Sequence, residues 1–244
     1  GDILILPLFK GVDKAPNNAL AGLSRTQRSL VNEALASKSF TGKVGKQLSV
    51  WTAGCQVVLV GMGQEPSDKI CRDGGAKTLA SLSKDHGTNI TVRFTTGWNT
   101  EQMILFTEGM LLRDYAFDKY MQKDEDDVAT DWTLNCQATP RHQKSLTSGV
   151  NKVAAIATGV HLAREVCNEP ANIMYPMEYA KRAQAWAKGK DNVKVDIWDY
   201  QRLKKEGMEA VIAVGKGSEK KPCMCFFTLN PDADSGKQVP CIVG

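Results

Sequence analysis

The stretch AREVCNEPANIMYP, Ala163 to Pro176, decides how this chain is organised. A helical pattern runs into Asn168-Glu169-Pro170, an Ala-Asn pair follows, and Pro176 stands six residues after the first proline. Pro170 biases Glu169 away from helical angles, so the incoming helix is expected to end there. Pro176, with a fixed φ and no N–H, suits the first turn of a new helix. The short segment Asn-Glu-Pro-Ala-Asn therefore re-aims the chain between two helices.

Upstream, Leu146, Val150, Val153, Ala157 and Val160 recur in steps of four and three, which places one stripe on a helix, and Ala163 and Cys167 extend it. A helix from Ser145 to Asn168 spans roughly 35 Å at ~1.5 Å per residue, which suits an element joining two domains. Downstream, Met177 to Lys188 reads as a helix, Val193 to Ile197 as a strand, and Tyr200 to Glu206 as a short helix before Gly207. Met208 to Val214 is apolar enough to be buried. Met224 to Leu229 and Val239 to Val243 read as core strands separated by an Asn230-Pro231-Asp232 turn. The expected division is an N-terminal α/β domain over 1–142, a connecting helix over 143–168, and a second α/β domain over 169–244 that begins and does not finish.

The first region alternates strands and helices. Ile3 to Leu6 is an apolar run closed by Pro7 and reads as a buried strand; Leu20, Leu23, Leu30, Val31 and Ala34-Leu35 fit a helix. Gln47 to Thr52 and Gln56 to Val60 are strand-like, and Asp68 is expected to cap a helix through Lys84. Ile90 to Phe94 is a further strand. Asn99, with Gln102 at capping-box distance, opens a helix whose apolar face runs on towards Tyr120. Trp132 to Ala138 is the next strand, and Pro140 ends the region.

Composition excludes more than it names. The 244 residues carry 31 basic and 27 acidic side chains spread along the chain, a net charge of +4, so no basic stripe points to nucleic acid or a membrane surface. Seven scattered cysteines in mostly apolar runs suit a reducing compartment, and the expected location is cytoplasmic. No window reaches the roughly 18 apolar residues of a membrane span. The start, Gly1-Asp2-Ile3, has the pattern of neither a signal nor a transit peptide, and without an initiator Met it is compatible with removal of an upstream segment.

Several motifs invite chemistry, and each has a plainer reading. Gly61-Met62-Gly63 after Val57-Val58-Leu59-Val60 resembles a phosphate-binding turn, but Pro66 stands where the third glycine would fall, which favours an ordinary strand-to-loop turn. Gly215-Lys216-Gly217-Ser218 is half a phosphate loop without the spacing to its lysine. His161 and Glu165, four apart, could face one metal ion, yet no third ligand is evident and a solvent-facing ion pair is the plainer reading. Cys223 and Cys225 share a strand face but lack a second pair for zinc, and read as core residues. Asp124 to Asp127 lacks the ligand spacing of a calcium loop and reads as solvated. With no G-x-S-x-G, H-E-x-x-H or C-P-x-x-C signature, no catalytic, metal-binding or substrate-binding residue is assigned.

The second half carries a specific resemblance, through AREVCNEPANIMYPMEYAKRAQAWA, VDIWDYQRLKKEGMEAVIAVGKGSEKKP and VPCIVG. These are similar to the leucyl aminopeptidase (M17) family of metallo-exopeptidases. Arg164, Asn168, Pro170, Ala171, Asn172, Pro176, Gly207, Met208, Ala213, Val214, Gly215, Gly217 and Ser218 stand at the family's motif positions. The first half agrees more loosely, through Val-Leu-Val-Gly-Met-Gly, Gly74-Gly75-Ala76 and Glu108-Gly109. Tyr175 departs from the pattern where a Thr commonly caps the helix, and Glu209 replaces a common glycine.

The resemblance implies an N-terminal macro-type α/β domain, a connecting helix, and the beginning of a C-terminal α/β/α catalytic domain. It implies two divalent cations (zinc, manganese or magnesium) that activate a water against the peptide bond after an N-terminal leucine or similar residue. It further implies a homohexamer acting on peptides. The family's first metal-ligating lysine follows an apolar strand ending in Val-Gly, where this chain reaches Ile242-Val243-Gly244. Every ligand would lie beyond it, and Asn99-Thr100-Glu101 is a decoy for a later family segment. The expectation is therefore the N-terminal portion of an active aminopeptidase, binding no metal and inert alone. The alternatives are a short non-catalytic homologue acting as an oligomerising or nucleotide- or nucleic-acid-binding module, and a full-length but inactive relative.

Overall fold

The computed structural model describes residues 2–37, 40–82, 89–122 and 132–231. The chain separates into two units, Gly1–Ala163 and Arg164–Gly244. Both are built of mixed strands and helices, as the α/β reading expects.

The first unit is organised around a five-stranded sheet of order β2-β3-β1-β4-β5. Its strands are β1 (Asp2–Leu8), β2 (Gln47–Thr52), β3 (Cys55–Gly61), β4 (Asn89–Arg93) and β5 (Thr133–Gln137). All neighbours are parallel except the β2–β3 hairpin. The central strands β1 and β3 read as continuous apolar runs because both of their faces are covered. Ile3 and Ile5 point with Val58, Val60 and Val92 into one core, closed by α2 (Asp68–Ser81), α3 (Thr100–Arg113) and the start of α4 (Pro140–Asn168). Leu4, Leu6 and Leu8 point with Val57 and Leu59 to the other, against Val31 and Leu35 of α1 (Arg25–Ala36).

Pro7 does not close β1, contrary to the expectation from sequence; the strand continues to Leu8. A proline is tolerated there because the ladder to β4 ends at the Ile5–Val92 pair. Beyond it the Pro7 carbonyl accepts a hydrogen bond from Trp98 Nε1 at 3.2 Å, and Trp98 packs with Phe9 and Phe94 at ring distances of 5.2 and 5.1 Å.

Other boundaries shift for local reasons. Helix α1 begins only at Arg25, because the Ser24 hydroxyl and the Gln27 amide form a capping box; Leu20 is buried in the turn before it. Ser67, not Asp68, caps α2. Helix α3 stops at Arg113 rather than running on towards Tyr120. Pro140 opens α4 instead of ending the region, since a proline at the first turn loses no helical hydrogen bond. On α4 the buried residues are Leu146, Val153 and Ala157, whereas Val160 is 38% exposed.

Asn99 and Gln102 form the expected capping box, with Asn99 Oδ1 accepting from Gln102 N at 2.9 Å and Gln102 Oε1 accepting from Asn99 N at 3.2 Å. Asn99→Ala removes one arm of it. The expected cost is about 1 kcal/mol, read as a lower unfolding midpoint in urea at unchanged slope.

The second unit contains α5 (Pro176–Ala187), β6 (Val193–Trp198), α6 (Tyr200–Lys205), α7 (Glu209–Gly215) and β7 (Met224–Leu229). β6 and β7 pair antiparallel from Val193–Leu229 to Trp198–Met224. One sheet face meets α5 through Trp186 and Phe227, 6.4 Å apart; on the other, Phe226 lies 4.6 Å from Trp198.

Two expectations are corrected here. Residues 208–214 are not a buried run: they turn into α7, where Ile212 is buried and Val214 is 91% exposed. β7 is not enclosed as a core strand, since Phe227 and Leu229 are 44% and 64% exposed. The strand expected at Val239 to Val243, Asp232, Lys84, the Asp124–Asp127 run and Cys241 lie outside the described residues.

Candidate functional site

The turn after β3 is occupied by its own fold. Gly61 N donates to Lys46 O at 2.7 Å, Met62 N to Leu8 O at 3.0 Å and Gly63 N to Gly42 O at 2.9 Å. A phosphate-binding turn needs such amides pointing outward and free. Gly61 is there because a Cβ would run into the Lys43 carbonyl oxygen, and Gly63 because its φ is +79°. The nucleotide reading of Gly61-Met62-Gly63 thus loses the donors it rested on.

The other candidates resolve in the same direction. Asn99-Thr100-Glu101 is a helix start: Asn99 is the cap and Thr100 Oγ1 lies 2.9 Å from His142 Nδ1. His161 does not form the expected solvent-facing pair through its Nε2, which is buried without a hydrogen-bond partner, and its ring sits 5.5 Å from that of Tyr115. Cys223 and Cys225 are half-buried and free. Burial, and then the neighbouring Cys225, push the Cys223 thiol up to about 11. Among the described residues no group of three or more His, Cys, Asp or Glu side chains is placed to hold a metal ion.

The motif residues of the second unit instead have clear conformational work. Gly207, at φ +72°, ends α6: its N–H bonds to Lys204 O and the N–H of Met208 reaches back to Leu203 O. That pair of bonds is a Schellman cap, which favours glycine at this position. Gly215 leaves room for the Pro222 ring, which a Cβ would meet at 2.6 Å. Lys216 N and Ser218 N are spent on Ile212 O and Gly215 O, so this half-loop does not present a nest of free amides.

The break at Asn168-Glu169-Pro170 is built around a buried charge. Glu169 N still bonds to Glu165 O, so the helical ladder runs to the residue before the proline and stops. The side chain of Glu169 has no exposed area, and Oε1 accepts from Arg182 Nη1 and Nη2 of α5, both at 3.2 Å. Arg182 also donates from Nε to Glu178 at 3.3 Å. Burial works against the guanidinium charge, but the bonds to Glu178 and Glu169 outweigh it and hold the group above its ordinary value. Reading the sequence missed this pairing; its one trace is a charged residue between a helix end and a proline, with an arginine thirteen positions on.

Tyr175 is the N-cap residue of α5 and makes no side-chain capping bond. Its ring is covered instead by the Lys220 ammonium, 4.4 Å from the centroid. The two form part of the wall of a cavity of about 270 Å³, with Met177, Tyr200 and Pro222.

Two family profiles account for most of the chain in order: the cytosol aminopeptidase family, N-terminal domain, over residues 5–124, and the catalytic domain of the same family over residues 161–244. The chain belongs to the cytosol aminopeptidase family. A probable cytosol aminopeptidase of Methylorubrum populi is 31% identical over 256 residues, covering all of this chain and 49% of the relative. One from Protochlamydia amoebophila is 30% identical, over 93% of this chain and 46% of the relative. The chain thus spans about half the length of the curated relatives it matches.

Among solved structures, a mutant of tomato leucine aminopeptidase superimposes with a TM-score of 0.75 at 24% identity, over 95% of this chain and 48% of that one. The bottromycin maturation enzyme BotP in complex with Mn gives 0.66 at 17% identity, over 93% and 44%. At these identities the likeness is one of fold. In this chain the motif positions Pro170, Gly207 and Gly215 serve to end helices and admit a close contact. No helix is long and apolar enough to cross a membrane among the described residues.

Proposed function

We propose that residues 1–244 act as the N-terminal part of a metal-dependent leucyl aminopeptidase that removes N-terminal leucine and similar residues from peptides, as a cytoplasmic homohexamer. The observation that carries this reading is the ordered match to both the N-terminal and the catalytic domain of one peptidase family. In this reading residues 1–142 form the N-terminal domain, 143–168 the connecting helix and 169–244 the start of the catalytic domain.

Two divalent cations would activate the attacking water in the complete protein. The described residues do not fit such a centre, since no group of three potential ligands comes together among them. The reading therefore assigns the metal ligands to sequence outside these residues, and no bond-making step to any side chain described above. What residues 164–231 contribute is position. The Glu169–Arg182 pair fixes α5 to the start of the catalytic domain, and Gly207 sets the turn from α6 into α7.

The test is hydrolysis of leucine amide with added Mn(II), by the complete gene product and by the 244-residue chain at equal concentration. Turnover by the complete product alone is expected. No turnover by the complete product would overturn the peptidase reading, and turnover by the short chain would overturn the placement of the ligands. Size-exclusion chromatography of the complete product is expected to give a hexamer.

A further inference from the structure

The cavity beside Tyr175 is put to no use by the peptidase reading. It belongs wholly to the second unit, between the start of α5, the start of α6 and the segment 216–222 that follows α7. Its apolar surface comes from Tyr175, Met177, Tyr200 and Pro222, all half-buried. Its charged groups, Asp199, Glu219 and Lys220, are exposed and stand round the mouth. At about 270 Å³ it is smaller than the ~300–1,000 Å³ that holds a drug-sized ligand, so it suits a small molecule.

Local bonds hold these walls in place. Gly215 lets the Pro222 ring lie against the end of α7, where a Cβ would meet it at 2.6 Å. Lys221 Nζ donates to the Lys216 and Ser218 carbonyls at 2.9 and 2.8 Å, and Lys220 N donates to Ser218 Oγ at 3.1 Å. The segment is thereby folded back on itself, with the Lys220 ammonium over the Tyr175 ring, 4.4 Å from its centroid. Asp199 is fixed from the other side, because its Oδ1 accepts from Arg202 N at 2.9 Å as the cap of α6.

Charges of both signs round one small apolar cavity select its ligand. A phosphate is repelled by Asp199 and Glu219, and a simple cation by Lys220. A neutral apolar molecule would desolvate these charges and give them no partner. A zwitterion satisfies both signs, and an aliphatic side chain on it removes the Tyr175, Met177, Tyr200 and Pro222 surfaces from water. A peptide carries its two end charges on different residues, whereas a free amino acid carries both on one α-carbon.

We propose that this cavity binds a free α-amino acid with an apolar side chain, its carboxylate towards Lys220 and its ammonium towards Asp199 and Glu219. The choice of leucine as the probe rests on the peptidase reading, which makes leucine the product; the walls and charges of the site do not depend on it.

The experiment is calorimetric titration of the 244-residue chain with L-leucine. One site per chain is expected, with a Kd on the order of 0.1–1 mM for so small a ligand. Leucinol, which lacks the carboxylate, and isocaproate, which lacks the ammonium, are each expected to bind ~10-fold or more weaker. Lys220→Met is expected to weaken leucine by ~10–100-fold, and so is Asp199→Asn combined with Glu219→Gln. Asparagine caps a helix as well as aspartate does, so the double variant loses charge without loosening α6. Lys194→Met, which removes an exposed cation on β6, leaves the affinity unchanged. In the wild-type chain, where no variant has to fold, the ring resonances of Tyr175 and Tyr200 are expected to shift together on adding leucine. No heat at leucine concentrations ~10-fold above that Kd, leucinol, isocaproate or glutamate bound as tightly as leucine, or full affinity in the Lys220 variant would overturn the proposal. Leucine binding without turnover by the complete gene product would keep this site and remove the peptidase; turnover without leucine binding would do the reverse.

Discussion

Gly109→Ala and Gly75→Ala are each expected to lower the unfolding temperature of the first unit by about 5–10 °C, and the two together to leave it largely unfolded at 37 °C. Helices α2 and α3 cross with each glycine set against the other's backbone. A Cβ on Gly75 would run into the Phe106 carbonyl oxygen, and one on Gly109 into that of Arg72. Arg72 Nε and Glu108 Oε2, 2.7 Å apart, flank the crossing.

Alanine by itself favours a helix interior over glycine by about 1 kcal/mol, so a net loss requires a larger clash. Overpacking costs typically 1–3 kcal/mol, and here the obstacle is backbone that can yield only by parting the helices. With the clash at or just above the top of that range, ~3–4 kcal/mol, less the ~1 kcal/mol that alanine gains, the net is ~2–3 kcal/mol, and at ~2–4 °C per kcal/mol for a unit of this size this gives the shift stated. Gly159 on α4 is the control. Nothing lies within 4 Å of a Cβ there, so Gly159→Ala is expected to stabilise by a few tenths to about 1 kcal/mol. Calorimetry of the three single variants checks all of this, and unchanged midpoints for Gly75→Ala and Gly109→Ala would remove the close crossing from the account.

Arg182→Met is expected to destabilise the second unit by about 2–4 kcal/mol. Removing one partner of a buried pair leaves the other desolvated and uncompensated, which costs ~3–5 kcal/mol when both are fully buried. Arg182 is 29% exposed, so water offsets part of that loss, whereas the Glu169 side chain has no exposed area. Glu169→Leu with Arg182→Met should recover most of the loss, since an apolar pair of similar volume requires no desolvation of charge. The coupling from the double-mutant cycle is expected near 2 kcal/mol. Urea unfolding followed by the fluorescence of Trp186 and Trp198 reads this unit. Additive single and double variants would mean that the two side chains do not depend on each other.

Periodicity and punctuation located the strands, since β1 and β3 are short apolar runs between polar turns and Asn99-x-x-Gln102 is a local capping code. The same signals misplaced Pro7, Asp68 and the end of α3. Those boundaries depend on where a neighbouring strand stops and on which nearby side chain reaches the free amides. The Met208 to Val214 run was read as buried because apolar content carries no information about what lies opposite it. In α7 one of its large side chains, Ile212, finds cover while Val214 does not.

The site reading divides in the same way. The motifs at Asn168 to Pro176 and Gly207 to Ser218 were legible as family signatures because they are contiguous. Their physical reasons were not, since a Schellman cap, a proline ring against Gly215 and a guanidinium on a buried carboxylate are contacts between separated residues. The glycines after β3 resemble a phosphate turn but read as an ordinary strand-to-loop turn, and their amides are indeed bonded to carbonyls from Leu8, Gly42 and Lys46. By itself the sequence determined the order of the elements up to α6, the break at Pro170 and the family, all of which reside in local steric preference and contiguous motif. Only the tertiary structure decided which charge is buried, which glycine is irreplaceable and which backbone amide is free, because each of these is set by what another part of the chain places within a few ångströms.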